Sequence, residues 1–400
     1  LFIKNGRMKK ALYFLIFLLF YTLFSCEKPD LSSLPSMKIY DDKNGNKSFH
    51  PLSIAKSPTS EGYLVLSAFD GWRIQLMKID NNGEFEWNVE LPNNYINASP
   101  ELIVMQNEAY LVCMDQIGLF TRLLKIDELN KAVMEVSSFE SILYPVYAHY
   151  TGQHLMILNC PLSSQVMGVH QVSSTLDTTD QRTYLNINAN VEDYLLKHMM
   201  HTGKRWPIFI KATPDQQNYI VNGFYNYSFS TVFLGSDLSF QGVYNGPGFG
   251  VGISALLPFG IGDFAVARQL NQNVFYNSKA PLMPTNIAMA SSIEAQGNAE
   301  LDTESPTLIK NLTIKGEVYR AFLSSTRSQQ LLLSLYDQNG ELKGTKYIGK
   351  SVPIKACDMI QTPYSELLIL AQVRIMGSYN RISTIKLSKS NLEDLLEDGN

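Results

Sequence analysis

One unit recurs along this chain: a polar turn, an apolar run, a short loop, a second apolar run, a tight turn and a third run. Its clearest copy reads Gly62 to Ser67, Arg73 to Ile79, the turn Asp80-Asn81-Asn82-Gly83, then Glu84-Phe85-Glu86-Trp87. A second copy near the end reads Leu331 to Tyr336, Asp337-Gln338-Asn339-Gly340, then Glu341 to Gly344. Asn-Gly between two β-rich runs is a strong hairpin signal, because a type I′ turn needs positive φ at both central residues. Weaker echoes are Leu123 to Asp127, Phe233 to Asp237 and Ile385 to Ser388. A single such unit cannot bury its apolar faces. A stack of them can.

Seven units can be counted, beginning near Pro51, Pro100, Tyr144, Pro207, Val251, Pro306 and Pro353. Their spacing of roughly 45 to 60 residues is that of four-stranded propeller blades. The two hairpin-rich copies resemble blades of bacterial secreted propellers, whose outer hairpin reads Lys-Ile/Leu-Asp-x-x-Gly-x-hydrophobic-x-Trp. The expected fold is all-β: a seven-bladed β-propeller of four-stranded antiparallel blades over residues 37–400, with a short helical insertion near 191–201. Met37-Lys38-Ile39-Tyr40 precedes the first blade and Arg381 to Leu387 ends the last, so an N-terminal strand can complete blade seven. Blade five, Val251 to Asn277, lacks the turn signature. An eight-bladed ring, its extra strands drawn from 276–305, is the main alternative. A pair of β-sandwiches leaves the period unexplained.

The N-terminus carries a different kind of signal. Met8-Lys9-Lys10, the apolar run Ala11 to Leu19 and then Leu23-Phe24-Ser25-Cys26 form a basic region, an apolar segment and a small residue before a cysteine. That pattern is a secretory signal, too short and wrongly flanked for a membrane span. The stretch resembles a bacterial lipoprotein signal ending in a lipobox. The resemblance implies that Cys26 becomes the first mature residue and carries the acyl chains. Residues 1–25 then form the signal peptide, with Met8 as its start, and 26–36 a Ser/Pro-rich tether. The acidic residue after the cysteine is similar to the export signal of surface lipoproteins in the Bacteroidetes. The expected address is the cell envelope, as an outer-membrane lipoprotein attached through its N-terminal lipid.

A hydrophobic content of 45 % with 11 % aromatic residues supplies a large core and argues against disorder. A formal net charge of -4, with no basic run beyond the signal and Lys204-Arg205, disfavours nucleic acid as a partner. Cys113, Cys160 and Cys357 are far apart and unpaired in sequence, which fits neither a disulfide framework nor a zinc site. Cys113 and Cys160 adjoin apolar strand-like runs and read as buried free thiols.

In a propeller blade, the loop from outermost to next innermost strand and the loop between the two middle strands open on one face. The longest informative insertion, Asn186 to Trp206, falls there before blade four. Val191, Tyr194, Leu195, His198 and Met199 follow helical spacing, so Glu192 to His201 is expected as an amphipathic helix ended by Gly203. Arg205 and Trp206, with Tyr225 and Tyr227 of the same blade and Asp70 and Trp72 of blade one, are the candidate binding residues. Aromatic and Arg anchors suit a sugar or a peptide. The competing reading makes Trp206 and the helix a cap on the channel.

His198 and His201 share a helix face, but no third ligand follows at fixed spacing, and no metal or cofactor is expected. His149, His154 and His170 read as surface or channel residues. Gly246 to Gly252 lacks the Lys-Ser/Thr of a phosphate loop and reads as backbone entering an innermost strand. No Gly-x-Ser-x-Gly elbow, His-Glu-x-x-His helix or EF-hand loop is present, so catalytic residues are unknown from sequence. The function expected is that of a lipid-anchored binding or assembly module for a protein or glycan partner. Alternatives are a propeller-type glycan lyase or hydrolase and a structural subunit of an envelope complex. A channel lined by converging Asp, Glu, His and Arg would favour the enzyme.

Overall fold

The structure, a computed structural model, describes residues 35–40, 46–162, 164–202, 204–250, 252–260, 262–349, 352–375 and 379–397. The signal, Cys26 and the tether to residue 34, together with Gly203 and Val251, lie outside the described residues.

Seven antiparallel units follow one another. Their innermost strands are Phe49–Lys56, Ile103–Met105, Pro145–Tyr150, Phe209–Ala212, Ile253–Pro258, Leu308–Ile314 and Ile354–Gln361. Each starts within a few residues of the position read from the sequence. Within every unit the strands pair in chain order. Apolar side chains then fill the space between neighbouring blades. Among the described residues the core divides into seven clusters, each spanning one adjacent pair of blades and the last joining blade seven to blade one. A closed ring of seven blades needs seven such interfaces. The propeller is therefore established by its sheets and by its core.

Ring closure falls where the sequence places it. Ser36–Tyr40 pairs antiparallel with Asn380–Leu387, in the register Met37 to Ile385 and Ile39 to Ser383. The 276–305 stretch holds no eighth blade. It supplies the outermost strand of blade five, Gln296–Asn298, and lends Ile287–Met289 to the edge of blade four as a parallel fifth strand. A two-residue strand, Tyr95–Ile96, stitches blade one to blade two.

The Asp-x-Asn-Gly turns differ from the type I′ expectation. Only the glycines take positive φ, 75° at Gly83 and 93° at Gly340, while Asn82 and Asn339 do not. The aspartate explains this. Asp80 Oδ1 accepts the N–H groups of Asn82 and Glu84 at 2.8 and 2.7 Å, and Asp337 Oδ1 does the same for Asn339 and Glu341. An Asx-anchored turn followed by a left-handed glycine makes a bulged hairpin. Paired positive-φ residues occur instead at Gln106-Asn107, Asn226-Tyr227 and Asn271-Gln272.

Among the described residues two α-helices decorate the ring. Helix α1, Glu192–Met199, lies in the blade-four insertion and buries Leu195, His198 and Met199. Helix α2, Lys389–Glu397, follows the last strand and sends Leu392 and Leu395 into the cluster between blades six and seven. Gly252 shows why glycine enters blade five: a Cβ there would stand 2.7 Å from the Phe229 carbonyl oxygen.

Candidate active site

The innermost strands converge on a cavity of ≈ 350 Å³ to which all seven blades contribute, among them Ser53, Glu101, Tyr147, Lys211, Leu256, Lys310 and Asp358 in blade order. Strand alternation puts residues two apart on one face, so Tyr147 and His149 of blade three line it together. Solvent reaches the charged groups. Lys310 is 42 % exposed, Glu101 26 % and His149 24 %.

The charges are paired unequally. Glu101 accepts from the Tyr147 hydroxyl, and its Oε1 lies 2.6 Å from His149 Nδ1. Burial alone would raise the Glu101 carboxyl, but His149, Tyr147 and Lys310 outweigh it and hold the group below the usual carboxylate range. Burial, then the neighbouring Glu101, pushes the Tyr147 phenol well up. Asp358 is saturated: Oδ1 takes Lys310 Nζ at 2.8 Å and Met359 N–H at 2.8 Å, and Oδ2 takes Ser53 Oγ and Ile54 N–H at 3.2 and 3.0 Å. Burial lowers Lys211 to about 8, the Glu101 charge opposing and the Lys310 charge reinforcing that shift. Its ammonium donates to the Leu256 carbonyl at 2.7 Å. Cys357 also lines the cavity, its thiol pushed up to about 11 by burial.

The insertion covers one mouth of the channel. Its backbone is held at the start by Asn226 and Tyr227 N–H groups donating to the Asn186 and Ile187 carbonyls at 2.8 Å each. From α1 it crosses to the opposite blades. His201 stacks on His50 of blade one, and Gly71 packs so closely that a Cβ there would stand 3.2 Å from the Met200 carbonyl oxygen. Lys204 Nζ reaches Gln269 of blade five at 3.0 Å. Trp206 N–H donates to His198 Nδ1 at 3.2 Å. Burial, then the Arg205 charge, holds His198 at about 3, so this imidazole is a neutral acceptor.

Of the six binding residues expected from sequence, Arg205 and Trp206 line the cavity. Trp206 is only 7 % exposed and packs on Tyr194, Phe224 and Phe229 with ring centroids 5.1 to 5.3 Å apart. Its surroundings are those of a channel cap. Tyr225 stacks on Phe240 of the fourth strand of its blade, and Tyr227 is 63 % exposed. Asp70 and Trp72 sit in the blade-one loop that receives the end of the insertion, and the Trp72 carbonyl accepts from Asn97 N–H. Glu101, Tyr147, His149, Lys211, Lys310 and Asp358 carry no motif that marks them as a site. Their signal is positional: each lies at or near the start of a unit, where innermost strands begin. His170 is buried, its Nε2 2.9 Å from Asn159 Oδ1, and Cys113 and Cys160 are buried free thiols. Among the described residues no group of three or more His, Cys, Asp or Glu side chains is placed to hold a metal ion.

No protein-family model matches the sequence, and no curated protein matches it. Solved structures do. A candidate 6-phosphogluconolactonase of Bacteroides fragilis is 13 % identical, with 88 % of this chain covering 98 % of that one at a TM-score of 0.47. The periplasmic gluconolactonase of Pseudomonas aeruginosa is 11 % identical, with coverages of 86 % and 97 % and a TM-score of 0.47. Raptor of Chaetomium thermophilum is 10 % identical over 86 % of this chain and 29 % of its own, at a TM-score of 0.50. At such identities the likeness is one of fold.

Proposed function

We propose that this propeller is a hydrolase of small carbohydrate-type esters or lactones, acting in its channel and held at the cell envelope by a lipid on Cys26. One observation carries the chemistry: His149 is anchored through Nδ1 to the Glu101 carboxylate, in a cavity that solvent reaches. A carboxylate on one ring nitrogen fixes the tautomer and leaves Nε2 as the base. Among the described residues Nε2 makes no hydrogen bond. In the step proposed, Nε2 takes a proton from water as its oxygen attacks the acyl carbon, and the imidazolium then returns that proton to the departing alkoxide. Cationic side chains of the channel stabilise the oxyanion between the two events. The cavity of ≈ 350 Å³ is near the lower end of small-molecule pockets. It suits one sugar-sized molecule better than a glycan chain.

The test is an assay of the purified chain against aldonolactones, acetylated sugars and aryl glycosides. Turnover is expected with a lactone or ester, and His149→Gln should lower kcat by about 10²- to 10⁴-fold without moving the melting temperature. Saturable sugar binding with no turnover above the buffer rate would leave a binding module instead. The anchor is tested separately. Cys26→Ala should leave the membrane fraction, since the acyl chains supply the membrane affinity, and pelleting like the wild type would overturn it.

A further inference from the structure

We infer that Arg205 and Lys211 form an anion subsite in the channel, so that the substrate carries a phosphate or carboxylate beside its scissile bond. This rests on the reading of the channel as the substrate site. The channel charges do not balance. Three cations, Arg205, Lys211 and Lys310, line a cavity with two carboxylates. Asp358 is fully occupied, by Lys310 and three other donors. Glu101 is taken by His149 and Tyr147. Among the described residues the Arg205 guanidinium has no hydrogen-bond or ion-pair partner, and Lys211 has only the Leu256 carbonyl.

A half-buried guanidinium that lines the channel without a protein partner carries part of its desolvation cost uncompensated. Arg205 and Lys211 are both shifted in the direction that burial dictates, downward. A bound oxyanion relieves that cost at both groups. The guanidinium fork matches two oxygens of a phosphate or a carboxylate, and the Lys211 ammonium has further N–H groups for the same ligand. Position adds to this. Arg205 descends from the insertion that covers one mouth, whereas Lys211 projects from the blade-four wall. Both stand in the same cavity as the Glu101–His149 pair, Arg205 near Tyr147 of blade three and Lys211 near enough to Glu101 to feel its charge. An anion held by these cations lies in the cavity that His149 also lines.

The test needs no turnover. Binding of inorganic phosphate, acetate and glucose is measured by calorimetry on the His149→Gln protein. Phosphate or acetate should bind saturably and glucose should not, and the tighter of the two anions names the group. Arg205→Gln and Lys211→Met should each weaken that binding by about 10- to 100-fold. Lys204→Met, whose side chain reaches Gln269 rather than the cavity, should leave it unchanged. Should Arg205→Gln lose its fold by circular dichroism, Lys211→Met on its strand decides. Equal binding of all three probes, or wild-type affinity in either folded variant, would overturn the subsite and leave the hydrolase reading standing. Anion binding without hydrolysis of any ester would overturn the hydrolase and leave the subsite.

Discussion

The imidazole rings of His50 and His201 stack with centroids 5.4 Å apart and planes 20° from parallel, joining the innermost strand of blade one to the far end of an insertion rooted beside blade four. This contact makes the insertion a bridge across the channel rather than a rim loop. It also sets two rings close to Arg205, which lowers His50 and His201 beyond the larger effect of burial.

Acid should therefore loosen the cap and destabilise the fold. His198 is held at about 3 and His170 at about 4, in each case first by burial and then by a nearby guanidinium, Arg205 or Arg182. The unfolded chain takes up these protons near pH 6.5. The unfolded state then binds more protons than the folded one, so stability is complete above about pH 6.5 and falls as pH drops toward 4 and 3. Melting temperatures recorded at pH 7.5, 6 and 5 should decline in that order, and His198→Asn should flatten part of the decline. A constant melting temperature over that span would contradict the neutral, buried rings.

Trp206→Ala should cost stability, by about 3–5 kcal/mol, because it empties a cavity among Tyr194, Phe224 and Phe229. Tyr227→Ala removes an exposed ring and should change the melting temperature little. Denaturant titrations of both proteins separate the cap residue from the surface residue. Equal effects would refute the packing of Trp206 in the core.

Much of the ring is legible in the sequence because each blade repeats the same demand, an apolar hairpin stack entered by a turn. Pro306 and Pro353 stand at the entries to innermost strands for that reason, and Pro51 near the start of its own. The turn type is not legible from Asn-Gly alone, which carries its type I′ preference only when no side chain competes. Asp80 and Asp337 cap the turn from its first position and change its geometry. The channel charges are harder to see. Glu101, His149, Lys211 and Asp358 are isolated in sequence, and only the ring brings residues of blades two, three, four and seven to one cavity. Arg205 stands out in sequence by its place in the longest informative insertion. Trp206 stands out with it, although its ring fills the core and only part of it meets the channel.

The buried pair Lys78–Glu128 offers a test of how neighbouring blades are held. The two groups meet at 2.8 Å with side chains 1 % and 7 % exposed, and Ser57, Thr59 and Ser60 hydroxyls complete the carboxylate shell. Burial would raise Glu128, but Lys78 and the hydroxyls outweigh it and hold it at about 2. Glu128→Ala leaves a buried ammonium unpaired and should cost about 3–5 kcal/mol. Lys78→Met combined with Glu128→Leu should cost less than Glu128→Ala alone, because no uncompensated charge remains. A double variant worse than the single one would show that the pair contributes net stability.

Phosphate or carboxylate affinity should depend on pH through Lys211. Burial lowers this ammonium to about 8, so it is charged below that value and loses its proton above it. An anion favours the charged form, so the affinity for acetate, which is ionised throughout this range, should be steady at pH 6 to 7 and fall as pH rises through 8. Binding should also take up a proton, seen as an enthalpy that changes with buffer ionisation. Lys211→Arg keeps its charge and should abolish the fall between pH 7 and 9.

Closure of the ring passes through Tyr40. This residue ends the N-terminal strand, and its hydroxyl donates to the Gly83 carbonyl at 2.7 Å while lying 2.8 Å from Thr384 Oγ1. It thereby ties blade seven to the outer turn of blade one, and burial raises its phenol to about 12. Tyr40→Phe removes those bonds and keeps the ring in place, at a cost of about 1 kcal/mol. A chain beginning after residue 40 loses in addition the whole pairing of Ser36–Tyr40 with Asn380–Leu387, and leaves Asn380–Leu387 as an open edge. That truncation should lower stability several-fold more than Tyr40→Phe and raise the tendency to associate, read by denaturant titration and light scattering. If the truncated protein instead matches Tyr40→Phe in both, the N-terminal strand does not close the ring energetically, and the interface between blades one and seven holds without it.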